Sequence, residues 1–163
     1  MIKLKTFGSF TVGNGLTSVQ EGAWRSEKLE KLFVYLAMNR NRGVCIEDIS
    51  EAIWQVEEET DNPVGALKNL AYRLRKALRD ASFGEECIVS VRGGLYKWND
   101  DVEVTIDVEE FDRYINEAEM AFCRSKETAI ESYEKAIALY HGDFLPLRTD
   151  THWFMTLNAF YHS

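Results

Sequence analysis

Cysteine, proline and glycine are all scarce in this chain of 163 residues, and each shortage excludes a class of protein. The three cysteines, Cys45, Cys87 and Cys123, are scattered, odd in number and form no CxxC pair, so the chain has no disulfide framework to predict. With two prolines and ten glycines it is neither collagen-like nor of low complexity. We therefore expect a reduced, cytoplasmic protein.

Long apolar runs are missing as well. No run approaches the ~18 residues of a membrane span, and the first residues lack the apolar segment of a signal peptide. We expect no membrane partner. Hydrophobic residues nevertheless make up 45% of the chain and aromatic residues 12%, which is enough for a packed core and excludes global disorder. The length fits one ordinary domain or two small ones.

The net charge of −8 argues against a nucleic-acid partner until its distribution is considered. Residues 1–99 hold 14 Lys and Arg against 13 Asp and Glu, whereas residues 100–163 hold 5 against 14, so the two parts carry +1 and −9. Such asymmetry indicates two units with different partners. Within the first part, residues 64–79 contain five basic residues and no acid. This local charge is typical of a phosphate-binding surface.

The periodicity of the first part predicts strands, three helices and a hairpin. Residues 2–12 and 16–24 alternate apolar and polar around a tight turn at Gly13-Asn14-Gly15. The first helix is expected to begin after an N-cap at Ser26, the second to span 46–54 and the third 64–81. Residues 55–63 form an acidic loop whose last residue, Pro63, lies where the third helix begins. The pairs of apolar residues around Arg92-Gly93-Gly94 predict a hairpin at 88–98. We expect Trp54 and Trp98 in the core and Trp24 beside the first helix.

The third predicted helix has two distinct faces. At about 100° per residue, the apolar side chains all lie within about 60° of Leu67. Gly65, Asn69, Tyr72 and Lys76 fall on the opposite side, flanked by Lys68, Arg73 and Arg79. The helix is therefore expected to bury one stripe and to present a polar, basic stripe to solvent.

The second part is predicted to be helical. Residues 100–106 read as an acidic, extended linker, and helices are expected at about 107–122 and 126–141. Paired helices of this kind resemble a helical repeat unit. After a break at 142–146, the apolar residues Trp153, Phe154 and Phe160 predict a last helix. We expect these rings to be partly covered by the preceding helical hairpin and partly available for self-association. This last helix runs to Ser163 without a cap, so we expect a fragment of a longer protein.

Catalytic patterns are weak. The glycines at 8, 13 and 15 have neither Rossmann nor Walker spacing, and the three histidines show no ligand pattern with the cysteines. The adjacent carboxylates of Glu109 and Glu110 imply no apolar pocket for acid–base chemistry. We therefore expect a protein that is not an enzyme and that binds neither a cofactor nor a metal ion.

Five segments carry a family resemblance. Residues 67–78 (LKNLAYRLRKAL) and 91–96 (VRGGLY) resemble the recognition helix and wing of OmpR/PhoB-type winged-helix domains. The opening FGSF at 7–10, the Ile46 to Trp54 stretch and the acidic helical part with YHGDFL at 140–145 are similar to SARP/AfsR-type transcriptional activators. The resemblance implies an α+β winged helix at 1–99, a linker at 100–106 and a tetratricopeptide-like activator domain at 107–163, here incomplete.

The resemblance also implies roles for individual residues. Base-reading positions fall on Lys68, Asn69 and Arg73, with Tyr72 on the same stripe. Backbone contacts fall on Arg75 and Lys76, a phosphate contact on the wing residue Ser90 and a minor-groove contact on the wing residue Arg92. Apart from the resemblance, we expect Arg79 on the same helix to hold a phosphate as well. One departure is Leu95, which replaces the second glycine of the usual wing. In the family, the loop between the second and third helices faces RNA polymerase, and here it carries Glu57, Glu58, Glu59 and Asp61.

Two functions remain open at this point. The first is a sequence-specific DNA-binding regulator, which the resemblance implies to be an activator, with the third helix in the major groove and the wing near the minor groove. The resemblance also implies a homodimer on DNA. The second is a helical adaptor whose basic helix binds an acidic protein and never DNA. For the acidic loop, a polymerase contact and a solvated loop that keeps acids away from phosphates are equally open.

Overall fold

The structure is a computed structural model that describes residues 1–54, 62–81, 83, 87–91, 93–146 and 151–162, without the side chains of 89–91. It combines strands and helices in the predicted order of an α+β winged helix followed by further helices. The elements are β1 (Ile2–Lys5), β2 (Thr11–Gly13), β3 (Ser18–Gln20), α1 (Glu27–Met38), α2 (Ile46–Ile53), α3 (Pro63–Asp80), β4 (Ile88–Val91), β5 (Leu95–Trp98), β6 (Val104–Ile106), α4 (Asp107–Ala121), α5 (Lys126–Leu139) and α6 (His152–His162).

The first sheet has the strand order β3-β2-β1-β6. The predicted strand over 2–12 is wrong in its middle, because it divides into β1 and β2. The amides of Thr6 and Phe7 donate to the Asp107 carboxylate instead of to a strand, and Gly8 turns the chain with a φ of +85°. The predicted strand over 16–24 is likewise shorter, since Gly22 adopts a φ of +82° just after β3.

The predicted linker contributes to this sheet. Residues 104–106 form β6, which pairs in parallel with β1 through Ile2–Val104 and Leu4–Ile106. The Trp98 indole N–H donates to the Val102 carbonyl at 2.8 Å, and Val102 is buried. Val102 and β6 of the predicted linker are thus packed against the first part, while Asp100, Asp101 and Glu103 are exposed. The domain boundaries at 99 and 107 stay a prediction.

The three helices of the first part lie where the sequence predicts them. The Ser26 hydroxyl accepts from the Leu29 amide at 3.3 Å and begins α1, and the Asn62 side chain accepts from the Gly65 amide at 3.1 Å and begins α3. Pro63 occupies the first turn of α3, where the missing N–H costs no helical hydrogen bond. Helix α1 is the centre of the core: residues 29–37 are all buried.

The tryptophans fulfil three packing roles. Trp98 is buried beneath α1, with its ring centroid 5.3 Å from that of Phe33. Trp24 packs on the same Phe33 at 5.8 Å, as predicted. Trp54 is only partly buried and packs at the edge of the core.

The second part begins with an antiparallel helical hairpin of α4 and α5. Small buried side chains, Ala118, Ala129 and Ala136, allow the two helices to approach closely. Helix α6 packs against α1 and α2 at its start and returns to α4 at its end, where the Tyr161 hydroxyl donates to the Asp112 carboxylate. The Thr151 hydroxyl donates to the Ala52 carbonyl at 2.7 Å, and the Trp153 ring meets the Tyr35 ring edge to face at 5.0 Å.

This packing corrects the expectation for the last helix. Phe154 is fully buried beneath the Lys31 ammonium, which lies 5.5 Å from its ring centroid, so it is not available to another chain. Trp153 is half-buried against α1, rather than against the helical hairpin. Phe160 is 64% exposed and Trp153 is partly exposed, so these two rings have the predicted availability, while self-association stays a prediction.

Candidate nucleic-acid interface

Helix α3 has one buried and one exposed face. The buried stripe consists of Leu67, Leu70, Ala71, Leu74 and Leu78, each with at most 4% of its surface exposed. It packs against α1 and α2. The other face is exposed, as the angular arithmetic predicts, and it presents Lys68, Asn69, Tyr72, Arg73, Lys76 and Arg79.

The exposed face combines charge with two kinds of directed hydrogen-bonding group. The guanidinium of Arg73 and the amide of Asn69 can each make two hydrogen bonds in one plane. Tyr72 is 60% exposed, although it is a large aromatic residue. Its ring and hydroxyl are therefore available to pack on, or to hydrogen-bond with, a molecule that covers this face.

Both ends of α3 are held in place. At the start, the Asn62 side chain accepts from the Gly65 amide, and a Cβ added to Gly65 would lie 2.5 Å from the Asn62 side-chain nitrogen, so a larger residue here would displace the capping side chain. At the end, the Thr17 hydroxyl donates to the Ala81 carbonyl at 2.9 Å, which ties the β2–β3 turn to the helix. The stripe is therefore presented on a rigid element.

Arg75 differs from the other cations of α3. It is half-buried, and its Nε and Nη2 atoms both donate to the Ile88 carbonyl at 3.3 Å. This oxygen lies at the base of β4, so the guanidinium connects the helix to the hairpin. The resemblance implies a phosphate contact for Arg75, and the structure gives its guanidinium a contact within the protein.

Strands β4 and β5 form the predicted wing. They pair in antiparallel register from Ile88–Trp98 to Val91–Leu95, and Gly93 and Gly94 turn the chain with φ values of +83° and +74°. Two backbone hydrogen bonds between Val44 and Tyr96 attach β5 to the segment before α2. Ser90 lies on β4 opposite Tyr96, and Leu95 in the position of the usual second glycine pairs with Val91.

Several predicted site residues lie outside the described residues. They are Arg92 of the wing and the acidic residues Glu57, Glu58, Glu59 and Asp61. Ser90 is described in its backbone alone. Their roles stay predictions.

The structure also brings together residues that the sequence analysis missed. Arg40, just after α1, forms a two-bond ion pair with Glu109 of α4, at 2.8 and 2.6 Å. This pair raises the pKa of Arg40. Such partners lie about seventy positions apart, and no local pattern signals them. Among the described residues no cluster of His, Cys, Asp or Glu could hold a metal ion, and none of their helices could cross a membrane.

Comparison with known proteins agrees with this geometry. Residues 21–98 match the family described as "Transcriptional regulatory protein, C terminal". A search of curated proteins gives no significant match in sequence. Among solved structures, EmbR of Mycobacterium tuberculosis, in complex with a low affinity phosphopeptide, superposes with a TM-score of 0.75 at 20% identity, covering 95% of this chain and 40% of EmbR. This chain therefore spans less than half the length of EmbR. The matches confirm the resemblance to a winged helix followed by a helical region.

Proposed function

We propose that the chain is a DNA-binding regulator that reads a specific DNA sequence with α3 in the major groove, since residues 21–98 match the family described as "Transcriptional regulatory protein, C terminal". The observation that carries this proposal is the exposed stripe of α3. Six polar or basic side chains, from Lys68 to Arg79, share one face of a helix that is anchored at both ends.

We assign base recognition to Asn69 and Arg73. In the major groove an amide can pair with adenine and a guanidinium with guanine, through two hydrogen bonds each. Lys68 can reach a base or a phosphate, and Tyr72 lies between these residues on the exposed face. Lys76 and Arg79 are assigned to phosphates, where they fix the register without carrying sequence information.

We assign Arg75 to the wing rather than to a phosphate. Its two hydrogen bonds to the Ile88 carbonyl hold β4 at a fixed distance from α3. The wing then reaches the neighbouring minor groove or backbone through Arg92 and Ser90, which are proposals from the family resemblance. A helix and a wing that are linked in this way bind DNA as one unit.

We further propose that the regulator is an activator. In this proposal Glu57, Glu58, Glu59 and Asp61 attract a basic surface of RNA polymerase through screened, steering interactions. The acidic second part, with its charge of −9, is repelled by a duplex and serves protein contacts instead. A side-by-side homodimer on repeated half-sites belongs to the same proposal.

The test is a selection of bound fragments from a random pool of duplex DNA. The proposal expects one enriched motif, and a repeated motif would also give the half-site spacing. Sequence-specific recognition would be contradicted if the folded protein enriches no motif. It would also have to lose its affinity for all duplexes equally as the salt concentration rises. The adaptor hypothesis, in which the basic helix binds an acidic protein, would then be favoured.

A further inference from the structure

A cleft of about 440 Å³ lies where α6 crosses α1 and α2. This volume is within the range of about 300–1,000 Å³ that small-molecule sites occupy. Its walls come from both parts of the chain, since α1 and α2 belong to the winged helix and α6 to the helical part. No residue of α3 contributes to it, so the cleft is separate from the stripe that we assign to DNA.

One wall of the cleft is apolar and largely aromatic. Tyr35 and Trp153 meet edge to face, with ring centroids 5.0 Å apart and an interplanar angle of 76°, and Leu157 lies on the next turn of α6. Trp153 is only half-buried, so part of its ring faces the cleft. A tryptophan face attracts planar rings and organic cations.

The other wall carries two carboxylates and one guanidinium. Arg42 lies 3.9 Å from an oxygen of Asp48 and donates to the Asn39 side-chain oxygen at 3.4 Å. It also interacts with the Tyr35 hydroxyl. The guanidinium of Arg42 thus already has partners among the side chains that line the cleft.

Glu51 is in a different situation. It lies one turn after Asp48 on α2 and lines the same cleft, yet its carboxylate has no hydrogen-bond or ion-pair partner in the part of the chain that the structure describes. His152 also lines the cleft, and with histidine counted as neutral the two carboxylates against one guanidinium leave one negative charge, which lies opposite the aromatic wall. This combination is complementary to a ligand that carries both a ring and a positive charge.

We propose that the cleft binds a small organic cation, an arylalkylamine in which a planar ring packs against Trp153 and the ammonium group pairs with Glu51. The site is independent of the DNA-binding proposal, because none of its walls belongs to α3. A bound ligand would contact the winged helix and the helical part at once, and it would stabilise the packing of α6 on α1 and α2.

The test is a calorimetric titration of the whole chain with two probes that share a ring but differ in charge, tryptamine and indole-3-acetate. Tryptamine should bind saturably in the millimolar range or tighter, and indole-3-acetate should bind more weakly. Glu51→Gln should reduce the affinity for tryptamine by roughly threefold to fivefold, which is the size expected for one partly exposed ion pair.

Glu47→Gln is the matched control, since Glu47 is an exposed carboxylate on the same helix that does not line the cleft. It should leave tryptamine binding unchanged. Melting curves of both variants verify that they fold. Absence of saturable binding overturns the proposal, and so does equal or tighter binding of indole-3-acetate. Equal tryptamine affinities of the two variants would also overturn it, because Glu51 would then not hold the ammonium group.

Discussion

The carboxylate of Asp107 holds the backbone of Thr6 from a position 101 residues away in the chain. One oxygen or the other accepts from the Thr6 amide at 2.9 Å, the Thr6 hydroxyl at 2.7 Å and the Phe7 amide at 2.9 Å. Both residues are buried. The first residue of α4 therefore ends β1 and fixes the helical part to the sheet of the winged helix.

Asp107→Asn should lower the free energy of unfolding by about 1–3 kcal/mol. The amide keeps the shape of the side chain but replaces one acceptor by a donor, so buried donors of Thr6 and Phe7 lose a charged partner. Urea unfolding measures the loss. Asp101→Asn is the control, because that side chain is exposed and should change stability by less than about 0.5 kcal/mol. Equal stability of the two variants would contradict the role of Asp107.

Arg75→Ala should weaken DNA binding without changing its salt dependence. The variant removes the two hydrogen bonds to the Ile88 carbonyl and so loosens the wing, but it removes no phosphate contact. Binding isotherms at several salt concentrations separate these roles. A fall of about one unit in the slope of affinity against salt would show that Arg75 does neutralise a phosphate.

Replacing Glu57, Glu58 and Glu59 together by alanine should leave affinity for the selected DNA nearly unchanged and should lower activated transcription. The reason is that the acids are assigned to a basic polymerase surface and not to the duplex. Reporter transcription and a binding isotherm on the same variant give the two values. Activation that stays at the parent level would assign these acids to a solvated loop.

The end of α6 should be held less firmly as the pH rises. The hydrogen bond of the His162 ring to Asp143, at 2.8 Å, raises the pKa of His162 above its usual 6.5. A raised pKa in the folded state means that this stabilisation is complete below pH 6.5 and is lost as the pH passes the raised value. Because the ring is exposed, the effect is local.

An NMR titration of the His162 ring tests this linkage. Asp143→Asn should move its pKa down towards the ordinary value, whereas Glu134→Gln, on an exposed carboxylate of α5, should not. A pKa that is the same in the parent and in Asp143→Asn would show that the imidazole takes no support from Asp143.

The sequence could predict the elements whose causes are local. Ser26 and Pro63 mark the helix starts through capping and φ preference, and the leucine spacing of α3 predicts which face is buried. The same spacing predicts the exposed polar and basic face of α3. The hairpin was predictable from its two glycines.

The features that local patterns missed depend on distant partners. The break in the first strand follows from Asp107, and β6 exists because β1 offers an open edge. The placement of α6 depends on Tyr35 and Ala52, about a hundred positions earlier. The contact of Arg75 with Ile88 could not be predicted from the sequence either. A basic residue on the side of a helix is equally compatible with a phosphate contact and with a contact inside the protein.

The central claim is that α3 reads DNA, and the most direct test compares three variants of this one helix. Arg73 is exposed, Lys76 is exposed and Leu74 between them is fully buried. The measurement is a binding isotherm on selected and scrambled duplexes at several salt concentrations, beside a melting curve for each variant. Leu74→Ala serves as the folding control, with an expected loss of about 2–5 kcal/mol in stability.

Arg73→Ala should fold like the parent, lose about 1–3 kcal/mol of binding free energy on the selected duplex and relax the preference at one base position. Lys76→Ala should also fold, weaken binding to both duplexes about equally and lower the salt slope by about one unit. If both variants fold and bind like the parent, α3 does not read DNA, and its basic face serves another partner.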